Sequence, residues 1–356
     1  MGKIMTQVDD FESVIRNSDT RIAKFQSKRS FGRFVQDSVH GNPAIIPLLI
    51  LLLTVTGFGL LTSGRFFSAF TLTLILQQVA IVGIVAAAQS LVILTKGIDL
   101  SVGAIMVLTS VVMGACVFRY GLPAPLAILI GLALGAFCGY INGILVSVVK
   151  LPAFIVTLGT WQIFLASNFI YSGNETIPSA RISETAPLLQ FFGQSVQLGG
   201  AVFTYGVIAM VLLISLLWYV LNHTAWGRHV YAVGDDAAAA ELAGVRVRRM
   251  LISVYILSGV ICAFAGWVLI GRLGSVTPTA GQFTNIESIT AVVIGGTSLF
   301  GGRGSILGTI FGALTVGCFS LGLRLVGADP QWTYLLIGVL SIVAVAIDQG
   351  LRKVNL

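Results

Sequence analysis

Charge is what this sequence has least of. Asp, Glu, Lys and Arg together make up 10% of the chain against 56% hydrophobic residues, whereas a soluble domain carries about 25% charged residues. A water-facing surface cannot be assembled from so little. The 21 Lys and Arg against 14 Asp and Glu leave a net charge of +7. The basic residues gather at segment ends and in the N-terminal stretch instead of forming one stripe. That distribution suits anionic lipid headgroups and gives no reason to expect a nucleic-acid partner. Chemistry-bearing motifs are missing as well. Cys116, Cys138, Cys262 and Cys318 each lie in an apolar run with no C-x-x-C spacing, so they read as small packing residues and no metal ligand set is expected. None of the six lysines sits in a phosphate-cradling G-x-x-x-x-G-K-[ST], and neither H-E-x-x-H nor G-x-S-x-G occurs. No catalytic residue and no bound cofactor are assigned, and the chain does not read as an enzyme.

What is present in quantity is long apolar runs. A helix needs about 20 apolar residues to cross the hydrocarbon core, because unpaired backbone polar groups are not tolerated there. Candidate spans fall at 44–64, 70–95, 99–118, 123–149, 153–171, 204–222, 250–271, 285–301, 304–323 and 331–348, so the expected fold is an all-α polytopic transmembrane bundle of about ten spans. Residues 1–43 read as a cytoplasmic segment, 44–348 as the membrane domain with a cytoplasmic loop at 223–249, and 349–356 as a cytoplasmic tail. The basic residues set this orientation: Lys96, Lys150, Arg303, Arg352 and Lys353 fall inside, and the loop at 172–203 falls outside. Arg65, Arg272 and Arg324 fall on the opposite side from the rule.

Two stretches interrupt the apolar pattern in comparable places of the two halves, Leu94 to Gly103 and Gly295 to Ser305. Glycine- and polar-interrupted spans in both halves point to broken or re-entrant helices lining a transport path, although two tight turns fit the same residues. Gly131, Gly135, Gly139 and Gly143 recur every fourth residue, as do Gly304, Gly308 and Gly312, which lets helix backbones approach closely in lipid.

Few acids lie in or near the spans: Asp99, Glu287 and Asp348. Asp99, before Leu100-Ser101, reads either as a cap for the following helix or as pathway lining. Deep positions offer no Arg or Lys clamp for an anionic solute but do offer neutral amides and an indole, at Gln77, Gln78, Asn142, Trp161, Gln162 and Asn168. A neutral polyol fits that set. The pathway candidates are therefore Asp99, Ser101, Asn142, Trp161, Gln162, Asn168, Asn285 and Glu287. In the 223–249 loop, Asp235 or Asp236 can cap a short alanine-rich helix that Gly244 can end. A helix of about two turns is marginal alone in water, so it is expected to dock, and a partner protein is the natural surface.

From about residue 66 to 349 the chain resembles the permease subunits of the ribose, xylose and fructose class of bacterial ATP-binding-cassette sugar importers. The resemblance rests on Leu91 to Thr95 with Gly97 to Gly103, on Gly227-Arg228 with the alanine-rich loop, and on Ala291 to Leu299 with Gly301 to Gly304. Phe154 to Gln162 and Phe283 to Ser288 look most like the fructose-importing members. It implies an inner-membrane subunit that passes a monosaccharide. The implied partners are an ATPase subunit that uses the ATP, a periplasmic sugar-binding protein, and a second permease copy or a paralogue. It also implies that the 234–244 stretch is the coupling helix, with Gly234, Asp235, Asp236, Ala238, Ala239, Glu241 and Gly244 as its contact residues. Many relatives have Asn where Asp236 stands and Ser-Gly-Ile where Ala243-Gly244-Val245 stands. The competing readings are a stand-alone secondary sugar carrier or facilitator, and a membrane receptor or scaffold without transport. The docking helix argues against the first and the interrupted spans against the second.

Overall fold

The computed structural model describes residues 44–198 and 200–354; the segment expected at 1–43 and the last two residues lie outside them. Thirteen α-helices are described: α1 Ile45–Leu61, α2 Ala69–Leu94, α3 Val102–Phe118, α4 Ala124–Ser147, α5 Ala153–Ser172, α6 Ser179–Thr185, α7 Tyr205–His223, α8 Ala225–Asp235, α9 Ala237–Leu242, α10 Val247–Leu273, α11 Thr284–Ile294, α12 Ile306–Val326 and α13 Pro330–Val354. A two-stranded hairpin, β1 Ser195–Leu198 and β2 Ala201–Thr204, interrupts the helices before α7. Among the described residues six helices, α2, α4, α5, α7, α10 and α12, are long and apolar enough to cross a membrane, and α1, α3, α11 and part of α13 are shorter apolar helices. All ten expected spans are thus helical. The count is corrected at 285–301, where the helix stops at Ile294.

Local chemistry sets the helix ends. Ser68 caps α2 by accepting from the backbone N–H of Thr71 at 3.1 Å. Pro123 and Pro152 precede α4 and α5, where a missing N–H costs nothing. Left-handed Gly173, Gly274 and Gly327 end α5, α10 and α12. From Val79 to Leu94 every residue of α2 is buried. A helix apolar on all sides that is also covered on all sides is the centre of its bundle.

The glycine rows explain how the centre closes. At Gly135 and Gly139 an added Cβ would strike the carbonyls of Gly259 and Tyr255 on α10, and at Gly143 it would stand 3.0 Å from Ile252 Cα. Backbone therefore lies on backbone along the α4–α10 seam. Gly308 and Gly312 do the same for α12 against Gly295 and Ala291. These stripes are internal seams of the chain.

The bundle has two ends. The hairpin sits at one, where Val202 N donates to Thr73 Oγ1 at 2.8 Å, and Ile177 and Val276 exchange backbone hydrogen bonds of 3.0 and 3.1 Å. At the other lie Lys96, α8 and the 295–305 turn: Lys96 Nζ donates to Asp235 O at 2.6 Å and Tyr231 Oη to Gly304 O at 3.1 Å.

The two interrupted stretches behave differently. Residues 95–101 fold back into the bundle and bury Asp99 and Ser101 at 1% and 0% exposure. Residues 295–305 form a turn at the Lys96 end, so the alternative of a tight turn holds there. The real break in the second half comes earlier, at 274–283, between α10 and the eleven-residue α11.

Candidate functional site

A cavity of about 280 Å³ opens between α3, α5 and the irregular 278–283 link. Gly103, Trp161, Asn168, Gly281 and Asn285 are on its wall, and no charged side chain is. The link brings backbone close to α3: at Gly103 an added Cβ would lie 3.3 Å from Asn285 N, and Gly281 has φ +65°, a conformation glycine adopts at little cost. Asn168 Nδ2 donates to Pro278 O at 2.9 Å and so pins the link to α5. Asn285 Nδ2 points to Leu100 O at 3.4 Å. The Oδ1 atoms of both asparagines are buried without a hydrogen-bond partner. A buried acceptor left unpaired costs about 1–3 kcal/mol, and both of these oxygens belong to residues of the cavity wall.

Beside the cavity, Asp99 Oδ1 accepts from Ser101 N at 2.8 Å and from Ser101 Oγ at 2.6 Å, and Asn142 Nδ2 donates to Ser101 Oγ at 2.9 Å. The Gln89 amide, oriented to suit its neighbours, donates to Asp99 O at 2.9 Å, and Thr157 Oγ1 donates to Ile98 O at 2.8 Å. Asp99 thus bonds Ser101, the residue just before α3, within a polar cluster at the start of that helix. Asp99, Ser101 and Asn142 belong to this cluster, and Trp161, Asn168 and Asn285 to the cavity wall. The other two candidates lie apart from both. Gln162 points outward from α5. Glu287 is on the first turn of α11 in the field of Arg272 and Arg324, and Arg272 in turn donates to Gln78 Oε1 at 2.6 Å. Residues 278–283 were not singled out from the sequence. Pro278 followed by Gly281 between two apolar runs was the available signal.

At the Lys96 end the alanine-rich loop forms two helices instead of one. α8 ends at Asp235, and α9 spans only six residues. Asp236 is the cap: its Oδ1 accepts from Ala238 N at 2.9 Å and Ala239 N at 3.1 Å. These donors, Ala239 first, hold its carboxyl below the usual carboxylate range. Gly244, with φ +87°, ends α9, as Gly244 N donates to Glu241 O at 2.9 Å and Val245 N to Ala240 O at 3.0 Å. This is the Schellman ending that requires a left-handed residue. Ala240 packs inward and Leu242 is 91% exposed. Among the residues expected to touch a partner, Asp236, Ala238, Ala239, Glu241 and Gly244 belong to this projecting unit and are exposed. Gly234 is buried against the chain itself, since an added Cβ would meet Leu94 O and Gly302 N. Asp235 lends its carbonyl to Lys96. Leu242 was missed, although a leucine beside polar residues on so short a helix marked it.

A bundle with full spans, a half-length helix and an uncharged internal cavity defines a membrane transport subunit. Residues 71–345 match the family described as branched-chain amino acid transport system / permease component. The chain belongs to that permease family and is a multi-pass inner-membrane protein, a transport component and not an enzyme. It is 68% identical over 346 residues to the fructose import permease protein of Rhizobium meliloti, covering 97% of this chain and 96% of that protein. It is 37% identical over 307 residues to the ribose import permease protein of Escherichia coli K12, covering 86% and 92%. It is 31% identical over 334 residues to the galactose/methyl galactoside import permease protein of the same strain, covering 90% and 96%. No solved structure matches the chain.

Proposed function

We propose that this chain is the membrane subunit of an ATP-binding-cassette importer that passes a neutral monosaccharide into the cell, with fructose the first sugar to test. The observation that carries the reading is the cavity wall. It has no fixed charge and holds two buried amide oxygens that lack donors, which suits a solute made of hydroxyl groups and offers nothing to a carboxylate or phosphate. The likeness to a fructose import permease along nearly the whole chain supports the same choice. The pathway would run through Trp161, Asn168 and Asn285, with Asp99, Ser101 and Asn142 holding the start of α3.

Energy would come from outside the chain, since its sequence has no phosphate-binding loop. An ATPase subunit would use the ATP and seat on α9, a periplasmic binding protein would deliver the sugar at the opposite end, and a second permease copy or paralogue would complete the pore. On this reading both termini and the 223–249 loop would be cytoplasmic. The test is uptake of labelled fructose, ribose and galactose into vesicles holding the chain, the ATPase subunit and the binding protein. ATP-dependent uptake with fructose preferred supports the proposal. Uptake by the chain alone without ATP would make it a free-standing carrier.

A further inference from the structure

Beside α9 lies a second cleft, of about 390 Å³, lined by Trp226, His229, Val245, Arg246, Arg249 and Met250 together with Gly244 and Ser253. Its composition is one-sided: a half-buried indole, a valine and a buried methionine form an apolar side, while two guanidinium groups and an imidazole stand with no carboxylate in the lining. Among the described residues, the side chains of His229, Arg246 and Arg249 make no hydrogen bond or ion pair. Arg228 and Arg248 add cationic charge beside it. Trp226 Nε1 donates to Ser253 Oγ at 3.0 Å and ties α8 to α10, so the cleft wall is a built feature. The charge that the lining presents is cationic.

The cleft's depth decides which anion. α10 has 27 residues, about 40 Å at 1.5 Å per residue, against a hydrocarbon core of about 30 Å. Arg246 is its N-cap and Arg249 lies in its first turn, so both emerge where headgroup phosphates lie. α8 buries Gly227, Val230 and Val233 and turns Arg228 outward, the pattern of a helix lying along an interface. We propose that this cleft binds the headgroup of an anionic phospholipid, the phosphodiester between Arg246, Arg249 and His229 and the first acyl carbons against Trp226 and Met250.

The test is thermal unfolding of the full-length chain in neutral detergent, titrated with phosphatidylglycerol, phosphatidylcholine or inorganic phosphate. Phosphatidylglycerol should raise the melting temperature, and the other two should not. Each cation near an anionic lipid is worth about fivefold in affinity, so Arg246→Gln/Arg249→Gln should raise the lipid concentration needed for a given shift about thirtyfold. Arg246→Lys/Arg249→Lys should stay within about fivefold of wild type by the same reasoning, and Lys150→Gln, a cation outside the cleft, should change nothing. Equal titrations for wild type and Arg246→Gln/Arg249→Gln would overturn the proposal. An equal shift with inorganic phosphate would overturn it in favour of a soluble anion. Loss of ATPase-subunit binding in Arg246→Gln/Arg249→Gln with lipid response unchanged would assign the cleft to a protein partner instead.

Discussion

Gly302 N donates to the carbonyl of Leu94 at 3.0 Å, and the same carbonyl is the atom that a side chain at Gly234 would strike. Three segments far apart in sequence thus meet at one peptide: the end of α2, the turn after α11, and the end of α8. Five residues past Leu94 in the chain is Asp99, at the start of α3. Anything that displaces α8 acts on the segment that positions the cavity wall.

Gly234→Val tests that junction. A branched side chain cannot fit against the Leu94 carbonyl, and overpacking of this kind costs about 1–3 kcal/mol. The variant is expected to insert in the membrane, melt at a lower temperature and lose most uptake. Wild-type melting and uptake together would show that α8 moves freely of α2.

Leu242→Asp addresses the projecting tip of α9. With the side chain 91% exposed its loss leaves the fold unharmed, as surface substitutions shift stability by less than about 0.5 kcal/mol. Recovery of the ATPase subunit with the chain should nevertheless fall, along with sugar-stimulated ATP hydrolysis. Gly244→Val should act in the same direction by unmaking the left-handed ending. If neither variant alters ATP hydrolysis, α9 is an ordinary solvated turn.

The cap of α9 carries a pH signature. Because folding lowers the Asp236 pKa, its stabilising effect is complete above the ordinary Asp value of about 4 and is lost as pH falls through the lower folded value. The protection of the Ala237 to Leu242 amides, measured as exchange relative to the intrinsic rate at each pH, should therefore be steady at neutral pH and fall only in acid. Asp236→Asn keeps the acceptor and should remove the acid sensitivity, whereas Asp236→Ala should speed exchange at every pH. Equal exchange in all three proteins would mean that the cap does not hold the helix.

Asn168→Leu and Asn285→Ala remove the two unpaired amide oxygens. One neutral hydrogen bond contributes about 0.5–1.5 kcal/mol, so each change should raise the sugar concentration for half-maximal uptake by up to about tenfold. Gln162→Ala, which faces away from the cavity, should not. A reversed order of effects would move the pathway to the outer face of α5.

Gly139→Leu should prevent accumulation of folded protein, because α4 and α10 touch through their backbones there and no neighbouring side chain can yield. Gly159→Leu on α5, where an added Cβ meets nothing within 4 Å, is the matched control. Normal yields of both would disprove the seam.

Helix positions were legible in the sequence because lipid leaves the backbone few options: an apolar run of the right length must be helical. The glycine spacing announced its seam for the same reason. Two things were hidden. The break at 274–283 was masked because hydropathy does not distinguish a half-length helix with a polar first turn, Thr284 to Glu287, from a whole span. The division of the α5 candidates between cavity wall and outer face depends on which side of that helix each residue takes. Trp161 and Gln162 are neighbours in sequence and face different surroundings, something residue type alone does not report.

α11 rises about 16 Å over its eleven residues, about half the thickness of a hydrocarbon core, and the chain before it, at 274–283, is not helical. Such backbone persists only where protein or water covers it, and here it lines the cavity. Among the described residues its wall offers amides and carbonyls but no fixed charge, groups that can stand in for part of a hydroxylated solute's hydration.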